Sequence, residues 1–81
     1  MPFTIRLFAT LKDRAGRDRV QLALDTPATV YALLAALAAE YPALREALPS
    51  ALVAVNQSFA FPETAVQPGD EIAIFPPVSG G

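Results

Sequence analysis

Residues 29–42 read Thr-Val-Tyr-Ala-Leu-Leu-Ala-Ala-Leu-Ala-Ala-Glu-Tyr-Pro, and this stretch decides the fold. Apolar side chains recur in it at the spacing of one face of an α-helix, and they are Val30, Leu33, Leu34, Leu37, Ala38 and Tyr41. Thr29 suits the N-cap position because its hydroxyl can accept a hydrogen bond from a free N–H of the first turn. Pro42 ends the helix because it has no N–H to donate. The pattern predicts one helix that buries a single face.

Two alternating segments precede this helix. In Phe3–Leu11, and again in Arg19–Asp25, apolar and polar side chains alternate with the period of two that a half-buried strand requires. Residues 12–18 between them are mostly polar, and Gly16 suits a position of positive φ. Two such strands joined by a short polar loop predict an antiparallel hairpin.

Two more strands are predicted after the helix. Residues 51–55 form an apolar run that ends at Asn56, whose side chain is expected to hold a turn. Residues 71–75 alternate again after the turn Pro68-Gly69-Asp70, whereas residues 59–61 are too short to assign.

The predicted order of elements is therefore β-β-α-β-β. A helix that follows a hairpin must cross back over the sheet to bury its apolar stripe. With a further strand inserted beside the first, the result is an α+β fold in which a mixed sheet packs on one main helix, the β-grasp or ubiquitin-like architecture. A chain of 81 residues is expected to form one domain over residues 1–81, with residues 76–81 as a flexible C-terminal tail.

The composition excludes many activities. The chain has no cysteine and no histidine, which rules out disulfides, thiolate nucleophiles, histidine bases and the usual zinc ligands. The eight Asp and Glu residues are scattered, so no metal site is expected. No apolar run approaches the roughly 20 residues that span a bilayer, and the first residues lack a secretory pattern. We therefore expect no membrane association and a cytoplasmic location.

The basic residues are concentrated near the start of the chain. Five of the six lie in the first 19 positions, interleaved with Asp13 and Asp18 around Gly16. Such a cluster can bind nucleic acid, but no aromatic residues alternate with these charges, and the net charge of the chain is −2. We interpret the cluster as a solvated hairpin loop and expect no nucleic-acid partner.

The end of the sequence is the best candidate for chemistry. Pro76 and Pro77 stop the last strand and stiffen the base of the tail. The residues after Phe75 can extend over roughly 20 Å, and Gly80 and Gly81 at the tip have no side chains, so the tip can enter a narrow slot. A chain without cysteine can carry sulfur covalently only on a carboxyl group, and that of Gly81 is the most accessible. A frayed terminus without a role is the alternative.

The ending Phe75-Pro76-Pro77-Val78-Ser79-Gly80-Gly81 resembles that of the small subunit of molybdopterin synthase, the MoaD family of ubiquitin-like sulfur carriers. The segments Leu7-Phe8-Ala9, Ala54-Val55-Asn56-Gln57 and Gly69-Asp70-Glu71 resemble the same family, so the likeness covers essentially the whole chain. The ending is the specific part of the match. Ser79 stands where the family often has threonine.

The resemblance implies a carrier that is not an enzyme on its own. An E1-like adenylating enzyme would use ATP to activate the Gly81 carboxylate, and sulfur would displace AMP to leave a thiocarboxylate. The tail, with Gly80 beside the reactive group, would then enter the large subunit of molybdopterin synthase in a heterotetramer and deliver sulfur to a cyclic pyranopterin precursor. The partner would supply the catalytic groups, and the chain itself would bind no cofactor.

The resemblance also implies a docking surface for the large subunit. Its expected residues are Phe8, Phe59, Phe75, Pro76, Pro77, Val78 and Ser79. The strand phases place Phe8 and Phe75 opposite the inward-facing isoleucines and leucine of the same strands, so both rings should point away from the core. The alternative is that a second layer of structure, or the loop near Phe59, covers them.

Several different functions stay open at this point. A related carrier for thiamin or cysteine synthesis, or a ubiquitin-like protein modifier, would share the fold and the Gly-Gly end, although the Pro-Pro-Val stem and the Phe positions favour molybdopterin. A β-grasp module that binds without covalent chemistry would not need the tail, because one fold hosts many functions. Deletion of Gly80 and Gly81 would separate that module from the carriers.

Overall fold

A five-stranded mixed sheet and one main helix form the two layers of the molecule in the computed structural model, which describes residues 2–77. A separate pair of short strands lies beside the main sheet. In chain order the strands are β1 (Phe3–Leu7), β2 (Arg19–Leu22), β3 (Ala28–Thr29), β4 (Leu52–Val55), β5 (Ser58–Phe59), β6 (Ala65–Val66) and β7 (Ile72–Phe75). The order in the main sheet is β2-β1-β7-β4-β5, and β3 pairs with β6.

The centre of the sheet joins β1 and β7, which come from opposite ends of the chain. β1 runs parallel to β7, with Ile5 opposite Ile72 and Leu7 opposite Ile74. The outer neighbours of this pair are antiparallel, β2 against β1 and β4 against β7. A parallel pair needs a long crossover, and here the crossover contains the main helix. The predicted β-grasp fold is thus confirmed.

Two α-helices and two 3-10 turns complete the described part of the chain. They are α1 (Ala9–Ala15), α2 (Val30–Glu40) and the 3-10 turns Pro42–Leu44 and Leu48–Ser50. The predicted N-cap of α2 is confirmed, because the Thr29 hydroxyl oxygen accepts a hydrogen bond from the Ala32 N–H at 3.2 Å. The Tyr41 N–H closes the other end by donating to the Leu37 carbonyl at 2.8 Å.

The prediction of one strand from Phe3 to Leu11 was wrong at its end. β1 stops at Leu7, and α1 occupies residues that the sequence assigned to the strand and the loop. The helix forms because the Phe8 carbonyl accepts the Leu11 and Lys12 N–H groups, and the buried Leu11 anchors it against the core. Gly16 ends α1 at φ 77°, as expected for a position of positive φ. The second strand also ends early, at Leu22 instead of Asp25.

The core lies between α2 and one face of the main sheet. Its side chains are aliphatic apart from one phenylalanine, and the described residues bury no polar or charged side chain. The core residues are Phe3, Ile5, Leu7, Leu11, Val20, Leu22, Ala28, Val30, Leu33, Leu37, Leu44, Leu48, Val53, Val66, Ile72 and Ile74. Complete burial of each large side chain contributes about 1.5–3 kcal/mol, so this layer supplies most of the stability.

A side-chain clamp joins two turns at one end of the sheet. Asn56 accepts a hydrogen bond from the Glu71 N–H at 2.9 Å and donates to the Asp70 carboxylate at 3.2 Å. The other oxygen of Asp70 accepts the Gln67 N–H at 2.8 Å. The Asn56 side chain therefore ties the turn after β4 to the turn before β7, which confirms the structural role expected for it.

Across residues 2–77, no helix combines the length and the apolar character needed to cross a membrane.

Candidate functional site

The face of the sheet that points away from α2 carries three of the seven predicted docking residues, which are Phe8, Phe59 and Phe75. Because cross-strand partners share a face, the registers Arg6 with Ala73, Phe75 with Leu52 and Ala54 with Phe59 define one surface. We call it the outer face. Its residues are Thr4, Arg6, Phe8, Arg19, Gln21, Leu52, Ala54, Phe59, Ala73 and Phe75.

An aromatic stack lies at the centre of the outer face. The rings of Phe8 and Phe75 are stacked with centroids 4.6 Å apart and planes inclined by 14°. The Cζ atom of Arg6 lies 5.1 Å from the centre of the Phe8 ring, within the range of a cation–π contact. Both phenylalanines are half-buried and lie on the side opposite the core, as the strand phases predict. Each therefore keeps a surface that a partner can contact.

The backbone around Phe8 fixes the position of its ring. The Phe8 N–H donates to the Ile74 carbonyl at 3.3 Å, so β1 stays paired with β7 up to this residue. The next residue, Ala9, turns the chain into α1 with φ 52°. This left-handed conformation costs a residue with a Cβ atom roughly 1–2 kcal/mol. Strain of this kind is often retained at binding sites, and here it lies directly beside the aromatic stack.

Phe59 extends the apolar surface toward the edge of the sheet. It lies on β5 opposite Ala54, and 75% of its surface is exposed. Leu52 lies opposite Phe75 and is 41% exposed. Phe8, Phe75 and Leu52 thus form one cross-strand row, while Ala73, Ala54 and Phe59 form the next. Exposed apolar residues grouped in this way mark an interaction surface more often than scattered ones do.

The structure brings some of the predicted site residues together, whereas others lie outside the part of the chain that it describes. Phe8 and Phe75 are in contact, Phe59 lies on the same face toward the sheet edge, and Pro76 and Pro77 continue directly from the stack. Pro76 is half-buried and Pro77 is exposed. Val78, Ser79, Gly80 and Gly81, and with them most of the predicted flexible tail, lie outside the described residues. The roles assigned to these residues from the sequence stay predictions.

Sequence reasoning missed several residues of the outer face. Leu52, Ala54 and Ala73 belong to it because of the registers of β4 and β7. The alternation of β4 around the buried Val53 was the available signal, since it places Leu52 and Ala54 on the opposite side. The register that brings them beside Phe75 and Ala73 could not be obtained from local pattern.

A second apolar surface lies beside α2. A groove of about 710 Å³ runs between α2 and the segment from Leu48 to Pro62. Tyr31 and Phe61 in its lining are 70% and 69% exposed, and Arg45 is the one charged residue among the described residues that line it. Phe59 also contributes to the lining, so the groove borders the outer face at the edge of the sheet.

The described residues offer little chemistry of their own. Among residues 2–77, no group of three or more aspartate, glutamate, histidine or cysteine side chains is placed to hold a metal ion. The outer face includes one hydroxyl group, that of Thr4, and none of its residues is a carboxylate, lysine, histidine or cysteine that could act on this hydroxyl as a base.

Comparison with known proteins finds relatives whose names describe sulfur carrier subunits and a small archaeal modifier. The model of the ThiS family matches residues 5–81. The molybdopterin synthase sulfur carrier subunit of Chlamydomonas reinhardtii is 35% identical over 83 residues and is covered, like this chain, over 100% of its length. The protein of the same name from Escherichia coli (strain K12) is 38% identical over 95% of this chain and 96% of its own.

A solved structure also matches the fold over the whole chain. The crystal structure of SAMP1 from Haloferax volcanii superposes with a TM-score of 0.89 at 36% identity, over 100% of both chains. The resemblance to the molybdopterin synthase small subunit is thereby confirmed, and the chain belongs to the ThiS family.

Proposed function

We propose that this chain is a sulfur carrier of molybdenum cofactor biosynthesis and acts as the small subunit of molybdopterin synthase. One observation carries the proposal: the aromatic stack of the outer face leads directly, through Phe75-Pro76-Pro77, to a Gly-Gly ending. A surface for docking and a terminus for chemistry are therefore close together in the chain. The names of the relatives from Chlamydomonas reinhardtii and Escherichia coli, sulfur carrier subunits of molybdopterin synthase, support the same assignment.

The carrier step takes place on the Gly81 carboxylate. A carboxylate is a poor acceptor for sulfur because oxide is a very poor leaving group. An E1-like adenylating enzyme removes this obstacle by joining the carboxylate to the α-phosphate of ATP, with release of pyrophosphate. Hydrosulfide then attacks the acyl carbon and AMP leaves, and loss of a proton from the thioacid gives the thiocarboxylate. Covalent carriage of this kind divides one difficult transfer into two easier steps.

The delivery step takes place in the large subunit. The tail enters its active site, the thiocarboxylate sulfur attacks the cyclic pyranopterin precursor, and hydrolysis of the acyl bond restores the Gly81 carboxylate. Two such rounds supply the two sulfur atoms of the dithiolene. The large subunit supplies the acid and base groups, since this chain has neither histidine nor cysteine. ATP is consumed by the activating enzyme, and this chain holds no cofactor.

Docking on the large subunit uses the outer face. Phe8 and Phe75 present a stacked, half-buried pair of rings, and Phe59 adds an exposed ring at the sheet edge. Aromatic anchors of this type dominate the binding energy of many interfaces. Pro76 and Pro77 have restricted φ, and with Val78 and Ser79 they form the stem that directs the Gly-Gly tip into the partner. The complex is expected to be a heterotetramer with two copies of each subunit.

Intact-mass measurement tests the chemistry. The chain is incubated with its activating enzyme, ATP and a sulfur source, and the exchange of one oxygen for sulfur is expected to add about 16 Da at the C-terminus. A chain that lacks Gly80 and Gly81 is the matched control and should gain no mass. A native terminus that stays unmodified while the activating enzyme forms adenylates on a known carrier would contradict the proposal.

A protein modifier is the second candidate, and the superposition on SAMP1, a small archaeal modifier protein, favours it. Activation would then be followed by attack of a lysine amine, and the product would be an isopeptide bond in place of a thiocarboxylate. The same activated chain, added to a cell extract, separates the two functions: high-mass conjugates that contain Gly81 linked to lysine identify a modifier. A carrier for thiamin or cysteine synthesis would instead copurify with a different synthase.

A further inference from the structure

Two arginines face each other at one end of the outer face. Arg6 on β1 lies directly opposite Arg19 on β2, and both side chains are exposed. The neighbouring residues Leu7 and Asp18 are joined by a backbone hydrogen bond of 2.9 Å. Because hydrogen-bonded and non-hydrogen-bonded pairs alternate along an antiparallel ladder, Arg6 and Arg19 form a non-hydrogen-bonded pair, in which side chains approach more closely.

This pairing is unfavourable for the isolated chain. Like charges directly opposite each other on adjacent strands destabilise a sheet. The chain has only six basic residues and a net charge of −2, yet two of the six are opposed here. The fold does not require them, since both side chains lie on the side of the sheet that faces away from the core. An acidic group bound between the two guanidinium groups would relieve this repulsion.

The aromatic stack holds one of the two arginines in place. The Cζ atom of Arg6 lies 5.1 Å from the centre of the Phe8 ring, and Phe8 is itself stacked on Phe75. A guanidinium held over a ring loses less rotamer freedom when it binds a further group. Its planar fork of N–H donors matches a carboxylate with two parallel hydrogen bonds.

We propose that Arg6 and Arg19 form a carboxylate-binding site at the edge of the docking face, and that the large subunit presents an acidic side chain to it. This inference rests on the proposed function. A carboxylate between two guanidinium groups replaces their repulsion by two attractions. The site is continuous with the aromatic surface, because the Arg6 guanidinium contacts the Phe8 ring. The partner surface is therefore an apolar pocket for the rings with an acidic group on one side.

The occupant is a protein carboxylate, not a nucleic-acid phosphate. The net charge of −2 repels a polyanion, and the binding of nucleic acid depends on many phosphate contacts made together. A single acidic side chain needs only the two arginines. The surface that presents it must also accept the stacked rings of Phe8 and Phe75, which lie beside Arg6.

Binding to the large subunit tests the site. The variant with Arg6→Gln and Arg19→Gln together is titrated at low and high salt, with Arg45→Gln as the matched control. Arg45 lines the groove beside α2, so its replacement changes charge without altering a residue of the outer face. We expect the double variant to bind about tenfold more weakly at low salt, with a slower association rate, and the difference to shrink at high salt. The control should stay within about twofold of the original chain.

A stability measurement separates this role from a structural one. Arg19→Gln removes the like-charge pair, so the Tm of the free chain is expected to rise by about 2 °C. If Arg19 instead stabilised the fold, its replacement would lower the Tm. A lower Tm for Arg19→Gln would overturn the inference. Unchanged binding of the double variant to the large subunit, or an equal loss of affinity with Arg45→Gln, would also overturn it. So would binding to a DNA duplex that depends on the two arginines while binding to the large subunit does not.

The outcomes also distinguish this inference from the proposed function. An original chain that does not bind the large subunit contradicts the proposed function itself. An original chain that binds and is weakened by Phe75→Ala, but not by the arginine double variant, leaves the proposed function intact and overturns only the carboxylate site.

Discussion

β7 has two different sides, one in the core and one on the outer face. Ile72 and Ile74 point inward and are almost completely buried, at 1% and 0% exposure. Ala73 and Phe75 point outward and stay half-buried. The inner side is aliphatic and belongs to the core beneath α2, whereas the outer side carries an aromatic ring stacked on Phe8. The two sides of four consecutive residues thus differ in both composition and surroundings.

This difference shows how a small sheet can combine packing on one side with the proposed docking on the other. Strand alternation sends neighbouring residues to opposite sides of the sheet, so the demands of packing and of docking act on different positions. A substitution on the inner side should change the free energy of unfolding, and one on the outer side should change affinity. Four substitutions, taken from the largest expected effect to the smallest, test that separation.

Ile74→Ala should have the largest effect on stability. It removes three carbon atoms from a fully buried site at the centre of the sheet, and such truncations typically cost about 3 kcal/mol, with a part due to the cavity left behind. Chemical denaturation followed by circular dichroism measures the loss. A change smaller than about 1 kcal/mol would mean that the inner side of β7 does not carry the stability assigned to it.

Phe75→Ala should affect association more than folding. It removes one ring of the stack, and we expect the affinity for the large subunit to fall by about 2 kcal/mol, roughly thirtyfold in Kd. The loss of stability should be about 1 kcal/mol or less because the residue is only half-buried. Calorimetric titration and thermal unfolding give the two values. Equal losses of Tm for Phe75→Ala and Ile74→Ala would break the distinction between the two sides.

Phe59→Ala should change affinity with almost no effect on folding. The residue is 75% exposed at the sheet edge, so its truncation should leave the free energy of unfolding within about 0.5 kcal/mol. We expect a loss of affinity for the large subunit of about 1 kcal/mol, smaller than for Phe75 because the ring lies toward the rim. Tyr31→Ala is the matched control, since Tyr31 is 70% exposed but lies on α2, outside the main sheet. An equal effect of the control would remove Phe59 from the docking face.

Ala9→Gly should have the smallest effect of the four, and it should stabilise the protein. Ala9 has φ 52° beside the aromatic stack, and glycine adopts this conformation without strain. We expect the free energy of unfolding to rise by about 0.5 kcal/mol. The relief of backbone strain in the folded state should exceed the entropic cost of the more flexible unfolded chain. Ala15→Gly, in the same helix but without positive φ, should instead destabilise the protein. A loss at both positions would show that no strain is stored beside the outer face.

Local pattern in the sequence was sufficient for the main helix and for the four longer strands of the sheet. Val30, Leu33 and Leu37 recur at helical spacing and are the buried residues of α2. The short helix α1 escaped prediction because it contains a single buried residue, Leu11, and one residue gives no periodicity. The two-residue strands β3, β5 and β6 are too short to produce a period of their own.

The candidate site was only partly accessible from sequence. The outward phases of Phe8 and Phe75 followed from alternation, but their contact depends on the pairing of β1 with β7, two strands separated by most of the chain. The opposition of Arg6 and Arg19 likewise depends on register, because a shift by one residue would have moved one of them to the other face. The pairing of distant strands depends on how the whole core packs, so it cannot be predicted from any short segment of the sequence.

The central position of β7 has a consequence for the synthesis of the chain. β7 lies between β1 and β4, so a chain interrupted before Ile72 lacks the strand that joins the two halves of the sheet. Both halves would then expose unpaired backbone edges, which favour aggregation over folding. Translation must therefore reach the C-terminal strand before the sheet can assemble.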